Sequence, residues 1–188
     1  MTSRTSIAPL VWIDCEMTGL DPSEDVILQI CCYITDHKLN LLDKEGYETV
    51  IHYEKEILDK MDGWCQKTHS STGLIARVLE STVTVAQATE ELLAYIKKLV
   101  PEKGVAFLAG NSIHCDRDFL VRYYPSITEH LHYRIIDVST VKEAVRMWCS
   151  KEVYGGVPVK KLLHEARMDI LESIEELRYY KEAVFDGK

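Results

Sequence analysis

The stretch "LVWIDCEMTGLD", residues 10–21, decides the fold because it is an apolar strand that carries two acids at alternate positions. Side chains two residues apart on a strand point to the same face, about 7 Å apart along it, so Asp14 and Glu16 project together. Cys15 and Met17 project to the opposite face. Two carboxylates on one face repel each other unless a metal ion, a basic side chain or water lies between them. The stretch therefore predicts both a strand and a polar site.

Turn residues and changes in hydrophobic period divide the rest of the chain into further elements. Four more segments have the pattern of strands: 26–35, 46–53, 104–111 and 133–140. A short helix and turn cover 56–69, and helical periodicity covers 72–81, 84–100, 115–124, 141–150 and 166–180. We expect Pro125 to end the helix before it, and Ser139 or Thr140 to cap the helix that follows the fifth strand. Three successive strands, followed by strands that alternate with helices, predict an α/β fold with a mixed sheet.

Composition favours a single globular domain, because 46% of the 188 residues are hydrophobic and 28% are charged. We expect a short N-terminal tail over 1–9, one domain over 10–185 and a C-terminal tail over 186–188. The tail "MTSRTSIAP" is too short as it stands for a transit peptide. The sequence thus favours a cytoplasmic protein, and a mitochondrial one if a transit peptide has been removed.

Cysteine usage and hydropathy bear on the compartment. The six cysteines form no CxxC pair and predict reduced thiols of an intracellular protein. No apolar run approaches the roughly 18 residues that span a bilayer, so we expect no membrane partner.

The net charge of −8 disfavours any partner held along an extended phosphate backbone, since such binding needs many Lys and Arg contacts. A nucleic acid partner is therefore expected to be short and held in a local site.

Acids recur at the ends of later strands and the starts of later helices. Asp116 follows the fourth strand, Asp137 ends the fifth, and Asp169 lies five residues after His164. Side chains beyond strand ends meet in the crevice where α/β proteins bind ligands, so these acids could converge with the pair on the first strand. Each also has a structural interpretation, because an aspartate at a helix start is commonly a cap.

A set of oxygen ligands suits Mg²⁺ or Mn²⁺ better than zinc. Two such ions about 3.5–4 Å apart could activate a water for attack on a phosphate and stabilise the leaving oxygen. A neutral histidine nearby could take the proton of that water, and His164 is the candidate.

Five segments in order resemble the oligoribonucleases, a branch of the DEDDh 3′-to-5′ exonucleases. They are "WIDCEMTGLD", "WCQKTHSSTGL", "AGNSIHCDRDFL", "YRIIDVSTVKE" and a histidine followed five residues later by the aspartate of "DILESIEELRYY". The resemblance implies the RNase H-like exonuclease fold, a five-stranded mixed sheet flanked by helices. It also implies an exoribonuclease that hydrolyses short RNA oligomers and dinucleotides to 5′ mononucleotides with two divalent cations, Mg²⁺ or Mn²⁺.

The resemblance assigns roles to particular residues. Metal binding falls to four acids: Asp14, Glu16, Asp116 and Asp169. The general base is His164. Leu20 wedges against a base, and Trp64 with His69 lines the base pocket. Contacts to the 5′ phosphate fall to Ser112, Arg134, Ser139 and Thr140. Family members are homodimers in which Tyr133 reaches the partner's active site.

One segment departs from the family pattern. The family motif "HRALDDI" is replaced here by "HEARMDI", so that Glu165 follows the presumed base and Met168 replaces the first of two acids. A charge at Glu165 would raise the pKa of His164 and displace the activity optimum to higher pH. Two other functions stay open: a proofreading-type DNA 3′ exonuclease, and a dimer that binds oligonucleotides without cleaving them.

Overall fold

Within residues 8–159 and 165–186, which the computed structural model describes, five strands form one sheet in the order β3-β2-β1-β4-β5. The strands are β1 (Leu10–Met17), β2 (Ile27–Thr35), β3 (Tyr47–Val50), β4 (Phe107–Gly110) and β5 (His132–Asp137). The first three are antiparallel neighbours, whereas β4 pairs parallel to β1 and β5 parallel to β4. The mixed five-stranded sheet that the sequence predicted is confirmed.

Helices flank this sheet. They are α1 (Lys55–Leu58), α2 (Gly63–Ser71), α3 (Leu74–Glu80), α4 (Val85–Leu99), α5 (Ile113–Tyr123), α6 (Pro125–His130), α7 (Val138–Trp148), α8 (Lys151–Gly155) and α9 (Ala166–Tyr180). A π-helical segment, Lys181–Phe185, continues directly from α9. The predicted bounds of α9 are confirmed.

The alternation of β1 divides the core between two layers of helices. Val11, Ile13 and Cys15 pack with residues of α4, α5 and α6, while Leu10 and Trp12 pack with residues of α7 and α9. The two acids of β1 continue the second series, so they face the layer that contains α9. Every residue of β2 is buried, as expected for a strand covered on both faces.

A smaller apolar cluster anchors the helices that follow β3. Leu58, Cys65, Leu74 and Val78 pack around Leu28 of β2. This cluster fixes α2 beside the C-terminal end of β1, where the acids lie.

One boundary prediction is confirmed and a second is corrected. Pro125 ends α5 but also opens α6, because a proline without an N–H is tolerated in a first helical turn. The cap of α7 is Asp137, whose Oδ1 accepts a hydrogen bond from the N–H of Ser139 at 2.9 Å. Ser139 and Thr140 therefore lie inside the helix and do not cap it.

All six cysteines are free thiols. Along the described part of the chain, no helix combines the length and the apolar character needed to cross a bilayer.

Candidate active site

Three carboxylates from two elements meet at the C-terminal end of β1. Oxygen atoms of Asp14 and Glu16, on β1, and of Asp169, in the first turn of α9, all lie within 4.8 Å of one another. The packing of α9 explains this arrangement. Ala166 and Ile170, one turn apart, are buried in the core layer that contains Trp12, so the intervening Asp169 is held next to the strand.

A fourth acid, Asp116, is hydrogen-bonded to the backbone of β1 itself. It is buried in the first turn of α5, and its Oδ1 accepts a hydrogen bond from the backbone N–H of Cys15 at 2.9 Å. Among the described residues, the group within 4.8 Å does not include Asp116. Its carboxylate therefore joins α5 to β1 across 101 residues of sequence, whereas a helix cap would bond to the backbone of its own helix.

The site disfavours negative charge. Burial, together with the nearby carboxylates of Asp169 and Asp116, raises the pKa of Glu16 from its ordinary value of 4.5 to about 7, against a weaker opposing effect of Arg77. Burial also raises the pKa of Asp116 to about 7, although the hydrogen bond from Cys15 favours the ionised form. At neutral pH the group therefore binds protons or a cation in preference to remaining fully ionised.

The donor set fits a hard divalent cation. Every oxygen within the group belongs to a carboxylate, from residues whose side chains are partly solvent-accessible. Mg²⁺ and Mn²⁺ prefer such ligands, and a cation would offset the repulsion that raises the pKa of Glu16.

A cavity of about 450 Å³ opens directly beside Glu16. Leu20 and Trp64 stand at its edge with 77% and 61% of their surface exposed, and His69 is buried within its wall. The structure thus brings together the three residues predicted to contact a base. Other wall residues were not predicted from the sequence: Cys15, Met17, Gly19, Asp62 and Cys65.

His69 connects this cavity to the acids. Its Nε2 lies 2.9 Å from the carbonyl oxygen of Met17, and since a carbonyl only accepts, Nε2 carries the proton. Its Nδ1 then faces Glu16, 3.8 Å from Oε2. The ring is therefore fixed in one orientation between the cavity and the carboxylate.

A cluster of hydroxyl groups lies where α5 and α7 begin. The hydroxyls of Ser112 and Ser139 are 3.1 Å apart, and the N–H of Ser112 donates to Oδ1 of Asp137 and Oγ of Ser139, each at 3.0 Å. Ser112 takes a left-handed conformation, with φ of 50°, which turns its N–H toward α7. Ser139 and Thr140 line a second cavity of about 370 Å³. Three of the four predicted phosphate contacts thus lie together, and the support from Asp137 was not predicted.

Arg134 and Tyr133 take no part in the hydrogen bonds described for that cluster. Both are exposed on β5, an edge strand, where the Arg134 guanidinium lies 5.1 Å from the centre of the Tyr133 ring. Tyr133 is 71% exposed and stacks on His132. Arg134 does not line the cavity of Ser139 and Thr140.

The start of α9 is held by Arg167, a residue to which no motif of the sequence assigns a role. Its guanidinium donates to Oε2 of Glu48 at 3.1 Å, to the carbonyl of Glu45 and to the hydroxyl of Tyr33. Because Glu48 lies 119 residues earlier, no local pattern indicates this pair.

His164, the predicted general base, lies outside the described residues. Glu165 next to it is exposed at the start of α9. The displacement of the activity optimum that we expect from Glu165 stays a prediction.

Comparison with known proteins agrees with this geometry. The model of the exonuclease family RNase_T matches residues 11–177. A mitochondrial oligoribonuclease of Saccharomyces cerevisiae is 48% identical over 92% of this chain, which spans 66% of the yeast protein. An oligoribonuclease of Chromobacterium violaceum is 47% identical over 92% of this chain and 93% of its own length.

Solved structures show the same fold. Exonuclease I of E. coli in complex with a dA16 oligonucleotide superimposes with a TM-score of 0.70 at 15% identity, over 95% of this chain and 42% of that one. The matched family model and the 47% identity to the Chromobacterium violaceum protein over most of both chains show that the chain belongs to the RNase_T exonuclease family and, within it, to the oligoribonucleases.

Proposed function

We propose that the chain is a 3′-to-5′ exoribonuclease that hydrolyses short RNA oligomers and dinucleotides to 5′ mononucleotides with the help of two divalent cations. One observation carries the proposal. Three carboxylates from β1 and α9 lie within 4.8 Å of one another, next to a cavity edged by an exposed leucine and an exposed tryptophan. The names of the relatives, oligoribonucleases, support RNA as the substrate.

Four acids would hold the ions: Asp14, Glu16, Asp116 and Asp169. When bound, Mg²⁺ or Mn²⁺ would polarise the phosphodiester and lower the pKa of a water molecule. The chain itself presents carboxylate oxygens from a rigid strand and from a helix start that packing holds in place. The hydrogen bond from Cys15 fixes Asp116 relative to that strand. His164 is proposed, from the resemblance, to take the proton of the attacking water.

Substrate length would be set by contacts at both ends of a dinucleotide. Leu20, Trp64 and His69 would hold the 3′ base in the cavity beside Glu16. The hydroxyls of Ser112, Ser139 and Thr140, with Arg134, would bind the 5′ phosphate. A substrate capped at its 5′ end in this way is short, and local contacts are sufficient to bind it to a chain with a net charge of −8.

The assembly and the compartment belong to the same proposal. We propose a homodimer in which Tyr133, exposed on the edge strand β5, enters the partner's active site. Arg134 would contact the phosphate from the same edge-strand surface as Tyr133, because its guanidinium lies over the Tyr133 ring.

We propose the cytoplasm as the site of action, and the mitochondrion for a form derived from a precursor. The yeast relative is called mitochondrial.

Replacement of Asp169 by asparagine tests the metal assignment. Because loss of residues that only support a metal ligand costs about 10- to 100-fold, loss of the ligand itself should lower kcat on a dinucleotide by more than about 100-fold. Direct titration with Mn²⁺ should show weakened binding in the same variant. Asp186→Asn, an exposed acid beyond the end of α9, is the matched control and should change neither. Full activity or unchanged Mn²⁺ binding of Asp169→Asn would refute the assignment.

A further inference from the structure

The loop between β1 and β2, residues 18–26, holds an exposed apolar side chain in a defined place. Leu20 is 77% exposed at the edge of the cavity beside Glu16. An exposed leucine gains little from packing against its own chain, so its position depends on the conformation of the loop that carries it.

The carboxylate of Asp25 closes this loop from inside. Its Oδ1 accepts a hydrogen bond from the hydroxyl of Thr18 at 2.8 Å, and its Oδ2 accepts from the N–H of Asp21 at 2.9 Å. The two donors lie on either side of Leu20 in the sequence. One side chain therefore fixes the backbone both before and after the leucine.

Gly19 makes this closure sterically feasible. A Cβ at this position would lie 2.4 Å from Oδ2 of Asp25, well inside the van der Waals limit. The Asp25 carboxylate is short and is held by two hydrogen bonds, so it cannot move aside without breaking them.

The base of the loop is tied to the rest of the molecule. The N–H of Thr18 donates to the carbonyl of Val26, and the N–H of Val26 donates to the hydroxyl of Thr18, both at 3.0 Å. The hydroxyl of Tyr123, on α5, donates to the carbonyl of Asp25 at 3.1 Å. The loop is thus connected to the helix that carries Asp116.

We propose that Asp25 and Gly19 are positioning residues for the exonuclease reaction. They hold Leu20 at a fixed distance from the carboxylates before substrate binds. A preformed wedge separates the 3′ base from its neighbour without first paying the entropy of ordering the loop. This inference rests on the proposed function, because it takes Leu20 to be the residue that contacts the base.

The chain contains a matched control for this carboxylate. Asp36 closes the turn after β2 in a similar way: its Oδ1 accepts from the N–H groups of Lys38 and Asn40 at 2.8 and 2.9 Å. The turn that Asp36 closes contributes no residue to the cavity beside Glu16, whereas the loop that Asp25 closes contributes Gly19 and Leu20. Asp25→Ala and Asp36→Ala each remove a loop-closing carboxylate, but only the first removes one from the loop that carries Leu20.

The experiment compares Leu20→Ala, Asp25→Ala, Asp25→Asn and Asp36→Ala in two assays. The first measures kcat and KM for a 5′-phosphorylated RNA dinucleotide with Mn²⁺. The second measures, in EDTA, the fluorescence of a dinucleotide that carries 2-aminopurine, which rises when the two bases are separated. We expect Asp25→Ala to raise KM by about tenfold or more and to lose the fluorescence rise, as Leu20→Ala does. Asp25→Asn, which keeps one acceptor, should recover part of both, and Asp36→Ala should match the wild type in both.

The outcomes separate this inference from the proposed function. If Leu20→Ala changes neither KM nor fluorescence, the base contact itself fails and the inference fails with it. If Leu20→Ala impairs both while Asp25→Ala and Asp25→Asn behave like the wild type, only the positioning role is overturned. If Asp36→Ala raises KM as much as Asp25→Ala, the effect is one of general stability and the inference is again wrong. Should Asp25→Ala not fold, the conservative variant Asp25→Asn, which keeps one acceptor oxygen, decides between these results.

Discussion

The carboxylate of Glu16 lies 3.8 Å from Nδ1 of His69. At the end of β1 it also lies within 4.8 Å of carboxylate oxygens of Asp14 and of Asp169 from α9. Only 17% of its side chain is exposed. Burial and the neighbouring carboxylates raise its pKa to about 7, so its charge state changes within the physiological range. The balance between protons and a cation at this residue should therefore be visible in the stability of the protein.

In the absence of divalent ions, the unfolding temperature should fall as the pH rises from about 5 to about 8. The pKa of Glu16 is raised from 4.5 to about 7 in the folded chain. Between these values the folded chain holds a proton that the unfolded chain has released. This contribution to stability is complete below pH 4.5 and is lost as pH rises through 7. Calorimetry in EDTA across this range measures the decline.

The variant Glu16→Gln should reduce that decline, because glutamine carries no charge at any pH, and the part that remains belongs to Asp116, whose pKa is also raised to about 7. Glu102→Gln, at an exposed position outside the site, makes the same change in net charge and should leave the slope unchanged. Mn²⁺ should stabilise the wild type more at about pH 8 than at about pH 5, since metal ligands must be deprotonated. A wild-type protein whose stability in EDTA rises steadily with pH would contradict the raised pKa.

At the scale of elements, the site depends on where α9 begins. The buried residues Ala166, Ile170 and Ile174 recur at four-residue spacing and place one face of the helix on the sheet. Arg167 joins the first turn to β3 through Glu48. Asp169 is therefore held between a packed face and an ion pair.

Replacement of Arg167 by leucine should weaken Mn²⁺ binding several-fold, because the first turn of α9 would lose its polar anchor while keeping its packed face. Arg178→Leu is the control on the same helix. The Arg178 guanidinium also donates to a carbonyl outside the helix, that of Leu39, but at the far end from Asp169. Both variants should lose some thermal stability, and only Arg167→Leu should lose affinity in a Mn²⁺ titration. Equal affinity of the two would show that packing alone positions Asp169.

Sequence periodicity predicted these elements unevenly. It gave the bounds of α9 and the two faces of β1, because burial repeats every four residues on a helix and every two on a strand. It missed α6 and α8, and it offered Ser139 or Thr140 as the cap of α7 as well as Asp137, which is the residue that caps the helix. Asp137, Ser139 and Thr140 are all of residue types that commonly cap helices. The residue that caps α7 depends on where β5 ends, and periodicity does not determine that boundary.

At the scale of the whole molecule, the sequence predicted the fold and the family because its motifs occur in a fixed order along the chain. Pairs of distant residues were not predictable in this way. The bond from Cys15 to Asp116 spans 101 residues, and the pair of Glu48 and Arg167 spans 119. Such contacts follow from the packing of α5 and α9 on the sheet, which exists only once the chain has folded.

The proposed dimer makes a prediction about mixtures. If Tyr133 acts in the partner's site, Asp14→Asn and Tyr133→Ala are each inactive, but their hybrid dimer contains one site with intact acids and an intact partner tyrosine. Random exchange between equal amounts of the two variants should restore about a quarter of the wild-type activity. Asp14→Asn mixed with Asp169→Asn should restore none, because each chain then damages its own site. Sedimentation as a monomer at micromolar concentration, or full activity of Tyr133→Ala alone, would contradict the dimer.

We propose that this chain is a metal-dependent exoribonuclease restricted to short RNA. The most direct measurement is the rate of cleavage of a 5′-phosphorylated RNA dinucleotide beside that of a 5′-phosphorylated RNA of about twenty nucleotides, each with Mg²⁺, Mn²⁺ or EDTA. We predict rapid loss of the dinucleotide with either ion, slow loss of the longer RNA and no cleavage in EDTA. Equal or faster degradation of the longer RNA, or binding of the dinucleotide without cleavage in Mn²⁺, would contradict the proposed activity.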